Sequence, residues 1–245
     1  MSKTFKIGTR ATLMAVRQTE AIIQALQAQF PQPRLALVPR QARDDLDLKS
    51  RLGALGGKGG AFVTAMHEML LAGEADMVMH SLKDLPGNEE YYADTRFSIG
   101  ACLPRSDPSD ALVLKQGLAA DTVPATIGTS SVRRSAFLRR LYRNARVVPF
   151  RGAADKRIAR LDDDTPMEFN YGGKTPPLDA LVLAHAGLAR IGLGDRISRV
   201  FTPDEMCPAV GQGVIVAEYA TGNEEAQALL AAINHRENMY CYQAE

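Results

Sequence analysis

Lys83 and Asp84 stand side by side at the end of an apolar run, in Asp76-Met-Val-Met-His-Ser-Leu-Lys-Asp-Leu-Pro86, with His80 and Ser81 just upstream. A carboxylate next to an ammonium can move protons and can stabilise a developing cation. The same spacing also fits a strand-end turn with a solvated Lys–Asp pair. A second concentration of chemistry lies further on. From Arg133 to Arg160 there are ten Lys/Arg against a single acid, Asp155. Within it, Thr129-Ser-Ser-Val-Arg-Arg134 places hydroxyls and paired guanidinia at a strand-to-helix junction, and Phe150-Arg-Gly152 repeats the strand-then-arginine arrangement. Free N–H groups, hydroxyls and arginine forks together make a carboxylate or phosphate receptor. The plainer alternative is a serine N-cap followed by exposed arginines.

These residues need elements to position them. Met77 to Met79, stopped by Pro86, reads as a buried strand opening into a loop. Phe5 to Thr9 is a short strand ending at Arg10. The spacing Leu13, Val16, Ala21, Ile22, Ala25, Leu26 then predicts an amphipathic helix, with Thr12 as N-cap and Pro31 and Pro33 beyond its end. Leu35 to Val38 is the next strand. Residues 40–60, charged and then glycine-rich through Gly53-Ala-Leu-Gly-Gly-Lys-Gly-Gly60, read as a mobile loop over a site with Lys58 at its tip. A phosphate cradle would need Ser or Thr after the lysine, where Gly59 stands. Phe62, Met66, Met69 and Leu70 mark a helix closed by Gly73, leading into the Asp84 strand. Further strands are expected at 98–103, 111–114, from 126, at 147–150, 178–184 and 214–217, with a helix over 223–233. Residues 162–178 form a Pro/Gly-rich interruption to which no role is assigned.

At 245 residues the chain can form two domains of ordinary size, and its 46% hydrophobic and 23% charged content is that of a globular protein. The net charge of +1 gives no overall pull towards nucleic acid or membrane. Cys102, Cys207 and Cys241 are far apart and match no zinc spacing; a reducing compartment follows, and no metal is expected. No export or transit signal and no long apolar run is legible, so the reading is cytoplasmic. The aromatic residues of the basic stretch, Phe137, Tyr142 and Phe150, are not interleaved as base-stacking would require. Alternating βα units with one strand returning after a long excursion predict two open, mixed-sheet α/β domains. Ligands of such sheets bind beyond the strand C-terminal ends.

His80-Ser-Leu-Lys-Asp-Leu-Pro86 closely resembles the active-site strand end of the porphobilinogen deaminase (hydroxymethylbilane synthase) family. The resemblance recurs in chain order at Ile7-Gly-Thr-Arg10, Gly56-Gly-Lys-Gly59, Leu103-Pro-Arg-Ser-Asp-Pro-Ser-Asp-Ala111, Ile127-Gly-Thr-Ser-Ser-Val-Arg-Arg134, Phe150-Arg-Gly152, Ala186-Gly-Leu-Ala-Arg-Ile-Gly192 and Pro208-Ala-Val-Gly-Gln-Gly213. It implies a two-lobed architecture like that of periplasmic binding proteins. Domain 1 is then residues 1–103 plus 209–231, domain 2 residues 104–208, and residues 232–245 the start of a third, α+β domain. It also implies head-to-tail joining of four porphobilinogen molecules with loss of ammonia. Asp84 matches the family's catalytic aspartate. Arg10, Thr12, Lys58, Ser81, Lys83, Thr129, Ser131, Arg133, Arg134, Arg151, Gly152, Arg157, Arg190 and Gln212 match positions that hold substrate, growing polypyrrole or cofactor.

The resemblance implies a dipyrromethane cofactor, anchored in the family by a cysteine of the third domain that is absent here. A C-terminally truncated form, inactive alone, is therefore expected, with a natural two-domain relative of another role as the alternative, and Cys241 is not expected to be the anchor. Thr12 replaces a usual serine, Ala54 a frequent lysine and Ala153 a usual asparagine; Gly60-Ala61 adds a residue before Phe62. A monomer acting on porphobilinogen, without nucleic acid or membrane, completes the expectation. The rivals are a non-catalytic two-lobed module for a small carboxylate and a phosphate or nucleic-acid binder.

Overall fold

A computed structural model describes residues 3–41, 60–169 and 173–244. Lys58 and most of the glycine-rich 40–60 stretch lie outside them. Two sheets of five strands organise the described residues, each mixed in direction. The first has the order β2-β1-β3-β10-β4, from strands Thr4–Arg10 (β1), Arg34–Arg40 (β2), Met77–Ser81 (β3), Phe97–Cys102 (β4) and Ile215–Ala220 (β10). β1 runs parallel to β2 and β3, with Ile7 opposite Leu37 and Met77. β10 inserts antiparallel between β3 and β4, setting Val216 opposite both His80 and Cys102.

The second sheet has the order β7-β6-β8-β5-β9, from Asp110–Leu114 (β5), Thr126–Gly128 (β6), Arg146–Val148 (β7), Ala180–Ala184 (β8) and Arg199–Val200 (β9). β6 is parallel to β7 and β8, while β5 is antiparallel to β8 and β9. Where the chain passes between the sheets, its outgoing and returning segments run side by side. Leu103 N–H donates to Ile215 O at 2.9 Å and Ser106 N–H to Gly213 O at 3.1 Å.

The helices cover these sheets for reasons local to the sequence. Helix α1 (Leu13–Gln29) starts at Thr12, whose hydroxyl accepts from the Ala15 N–H at 3.3 Å. Its Ile22 and Leu26 are fully buried against Ile7, Met77 and Ile215. Burying each stabilises the lobe by about 1.5–3 kcal/mol. Helix α2 (Gly60–Leu71) covers the opposite face through Met66 and Met69, and Gly73, at φ +67°, turns the chain out of it.

Helix α3 (Glu89–Tyr92) is a single turn capped by Asn88. In the second lobe, helix α4 (Val132–Leu141) buries Leu138 on one face of the sheet. Helices α5 (Ala154–Asp162) and α6 (His185–Arg190) bury Ile158, Leu161 and Leu188 on the other. Helix α7 (Glu224–Ile233), capped by Asn223, joins α1 on the first sheet. Helix α8 (Arg236–Ala244) packs Met239 and Tyr242 near Cys102, and Asn238 donates to Leu103 O at 2.7 Å.

The 162–178 interruption has a structural use. Met167 is buried in the second core, with its N–H donating to the Thr175 hydroxyl and its sulfur accepting from the Arg151 N–H at 3.0 Å. Among the described residues, no helix is long and apolar enough to cross a membrane.

Candidate active site

Strand ends deliver most of the expected residues. Arg10 is the last residue of β1, and Ser81 closes β3. A single 3₁₀ turn, Leu82–Asp84, then carries Lys83 and Asp84. Thr129 follows β6, Ser131 caps α4 by accepting from the Arg134 N–H, and Arg133 and Arg134 lie in that helix's first turn. Arg151 follows β7, and Gly152, at φ +114°, leads into α5 with Arg157.

Contacts join many of these side chains. The Lys83 ammonium donates to Gln212 Oε1 at 3.2 Å. The Gln212 amide donates to Asp110 Oδ1 at 2.9 Å and to Pro108 O at 2.6 Å. Asp110, fully buried at the start of β5, also accepts from Arg134 Nε at 3.0 Å and Nη2 at 2.7 Å, and from Arg133 Nη2. Ser81 exchanges hydrogen bonds with Gln18 of α1, at 2.8 and 3.1 Å.

Asp84 is half-buried. Burial, then the charge of Arg134, brings Lys83 down to about 8, while Asp84 and Asp110 pull the other way. The same two causes bring Arg157 down to about 10. Among the described residues its Nε is buried without a hydrogen-bond partner, as is the Thr9 hydroxyl beside Arg10. Lys83, Arg133, Arg134 and Arg157 thus stand among Asp84, Asp110 and Asp155, leaving one positive charge in excess. Crowded, desolvated cations with an unused donor are stabilised by an anionic ligand.

A family model described as "Porphobilinogen deaminase, dipyromethane cofactor binding domain" matches residues 5–228. The chain belongs to the porphobilinogen deaminase family. Porphobilinogen deaminase of Roseiflexus sp. (strain RS-1) is 39% identical over 96% of this chain and 72% of its own length. That of Stenotrophomonas maltophilia (strain K279a) is 37% identical over 99% and 75%. Among solved structures, a periplasmic substrate-binding protein of an ABC transporter from Coxiella burnetii superposes with a TM-score of 0.52 at 11% identity, covering 98% of this chain and 96% of that one. Immunogenic lipoprotein A from Vibrio vulnificus gives 0.50 at 14% identity, covering 98% of each. These two establish the two-lobed fold and nothing about chemistry.

Dipyrromethane, the cofactor of porphobilinogen deaminases, bears carboxylates, and the residues present fit it. The unused Arg157 Nε and the excess of positive charge are the observations that match. Several matched residues have other work in this structure. Arg133 and Arg134 are paired with Asp110, and Arg134 Nη1 also donates to Val182 O at 3.1 Å. Arg190 donates to the Ser106 hydroxyl and to Gly213 O, both at 2.8 Å, at the crossing between lobes. Thr12 caps α1, and the Thr129 hydroxyl accepts from the Ser131 N–H at 3.2 Å.

His80 is committed elsewhere. Its Nε2 meets Glu218 at 3.0 Å, with His67 at 2.9 Å and the Tyr91 hydroxyl at 3.0 Å on the same buried carboxylate. Sequence reasoning missed Asp110, Gln18 and Glu218. The available signal for Asp110 was an acid opening a wholly apolar strand, Ala111 to Leu114, which needs a cation for partner.

Proposed function

We propose that this protein joins four porphobilinogen molecules head to tail, with loss of ammonia at each addition, and releases the linear tetrapyrrole hydroxymethylbilane. One observation carries the reading. Asp84 stands half-buried at the end of β3, beside Lys83, where cations outnumber carboxylates. Loss of ammonia from porphobilinogen leaves a cationic azafulvene. Asp84 stabilises the positive charge as it develops, while the ammonia departs with the bonding electrons. It then takes the proton that the attacking α-carbon gives up when the new carbon–carbon bond forms. Arg10, Arg151, Arg157 and Lys83 receive the acetate and propionate groups, with Arg133 reaching them from its half-exposed position. When bound, dipyrromethane supplies the free α-carbon on which the chain is started. Ser81, Thr129 and Gly152 shape the walls at the strand ends.

The lobes divide at 103/104 and 208/209, so that 1–103 with 209–231 carries Asp84, 104–208 carries the arginines, and 232–245 begins a further domain. The enzyme works in the cytoplasm as a monomer and without nucleic acid. A net charge of +1 and three unpaired cysteines support that setting. The test is Asp84→Asn in the protein with its dipyrromethane assembled, supplied with porphobilinogen. Turnover, followed as ammonia released per porphobilinogen consumed, falls by about 10²–10⁴-fold with the fold intact. Turnover within threefold of the unmodified protein removes Asp84 from the chemistry.

A further inference from the structure

Asp110 belongs to the second sheet and Lys83 to the first, and a single side chain connects them. Gln212, only 1% exposed, lies in the returning crossing segment. Its carbonyl end accepts from the Lys83 ammonium at 3.2 Å, and its amide end donates to Asp110 at 2.9 Å. Asp110 in turn fixes the guanidinia of Arg133 and Arg134. The chemistry of each position is specific. Glutamine can accept from a cation and donate to a carboxylate at once; a glutamate there would set one carboxylate against another. The backbone holds Gln212 too, since Arg105 Nε donates to its carbonyl at 2.9 Å and its N–H bonds to Ala209 O at 2.9 Å.

We propose, resting on the function proposed above, that Asp110 is a positioning residue for the reaction. Acting through Gln212, it holds the Lys83 ammonium beside Asp84 and couples that ammonium to the arginines of the opposite lobe. The charges facing Lys83 are Asp84 on its own turn, Asp110 at β5, Arg134 on α4 and Arg157 on α5. Burial and the two arginines disfavour the ammonium; the two carboxylates and the Gln212 carbonyl favour it. Removing Gln212 or the charge of Asp110 therefore tips Lys83 towards the neutral amine and loosens its place next to Asp84. The depressed ionisation of Lys83, near 8, places this balance within reach of ordinary assay pH.

The decisive experiment is competitive acetylation of Lys83 with acetic anhydride from pH 6 to 11, read by peptide mass spectrometry. It compares the unmodified protein with Gln212→Met and Asp110→Asn. Gln212→Met keeps volume and loses both hydrogen bonds, so it carries the test even where Asp110→Asn, which strands two arginines, fails to fold. The titration midpoint of Lys83 moves down by at least about half a pH unit in Gln212→Met. Its kcat/KM falls by about tenfold, as expected when a hydrogen bond to a charged group is lost. The double variant is no worse than the poorer single one, since both cut the same relay. An unmoved Lys83 midpoint in Gln212→Met, with only a lower melting temperature, overturns the proposal. The labelling needs no turnover. An unmodified protein that titrates as described but consumes no porphobilinogen would defeat the proposed function and leave the Lys83 coupling standing.

Discussion

Arg190 and Gly213 lock the two crossing segments to each other: Arg190 Nη2 donates to the Gly213 carbonyl at 2.8 Å. The same nitrogen reaches the Ser106 hydroxyl at 2.8 Å, so one guanidinium grips both the outgoing and the returning chain. Gly213 itself is at φ +94°, and a Cβ there would collide with the backbone oxygen of Ser106. The resemblance had cast Arg190 as a carboxylate binder; its contacts also tie the two crossing segments together.

Gly213→Ala is accordingly expected to lower unfolding free energy by about 2–4 kcal/mol, from backbone strain plus the forced separation of the two segments. Arg190→Lys shortens the side chain and weakens both bonds but leaves the backbone unstrained, so it costs less, about 1–2 kcal/mol. Urea denaturation of the three proteins checks the order. Equal stability of Gly213→Ala and the unmodified protein would mean that the crossing is loose in solution.

Arg157 offers the cleanest test of ligand recognition, because its Nε is buried and unused while Arg133 and Arg134 already serve Asp110. Arg157→Lys keeps charge and loses the planar fork, so KM for porphobilinogen is expected to rise about tenfold. Arg139→Lys, at an exposed position of α4, is expected to stay within twofold. Matching effects at the two positions would replace a built site with a diffuse positive surface.

Lys83 gives a pH signature of binding. Burial and Arg134 hold it near 8 in the folded protein, below its ordinary 10.5. In the folded state it therefore releases its proton before the unfolded chain does. Its penalty on stability is full below about pH 8 and is relieved as pH rises towards 10.5. A ligand carboxylate placed beside it pushes the ionisation back up. Binding of a dicarboxylic pyrrole at pH 8.5–9.5 is thus expected to take up a fraction of a proton, measurable by calorimetry in buffers of different ionisation enthalpy. No buffer dependence across that range would remove Lys83 from the contact.

The buried Glu218 cluster predicts acid sensitivity. Burial raises the Glu218 carboxyl, but hydrogen bonds from His67 and His80 overcome it and hold the group at about 2, against an ordinary 4.5. Its stabilising contribution is therefore complete above about pH 4.5 and is lost as pH falls from there towards 2. Glu218→Gln should cost about 3 kcal/mol near neutrality and flatten the stability curve between pH 5 and 2. Thermal melts at stepped pH decide it; parallel curves for both proteins would show that other carboxylates govern acid unfolding.

Periodicity and punctuation made much of the scaffold legible in sequence. The spacing from Leu13 to Leu26 marks α1, Thr12 and Ser131 act as the caps they resemble, and Asp84 sits at a strand end as the apolar run before it implies. Pairing was the part that could not be read. Nothing local says that Asp110 meets Arg134, 24 residues away, or that Glu218 meets His80, 138 residues away. Basic residues near a strand end look alike whether they await a ligand or already hold a buried acid. Only what each one bonds separates Arg157 from Arg134. The 162–178 stretch was opaque for a related reason: Met167 and Phe169 alternate with polar residues over too few positions to mark a strand, yet Met167 fills the core next to Arg151.

The placement of β10 has a consequence for how the chain acquires its structure. β3 and β4 are not partners; both pair with β10, which fills the space between them. As the chain leaves the ribosome, residues up to 102 can form β1, β2 and β3 but leave an open hydrogen-bonding edge on β3, with β4 unattached. That edge stays unsatisfied until residues 215–220 emerge, by which point every strand of the second sheet has been made. Exposed strand edges invite wrong pairing, and long-range closures are slow. The second sheet suffers neither delay, since its strands span only residues 110–200. The half of the molecule synthesised first is therefore the half that finishes folding last.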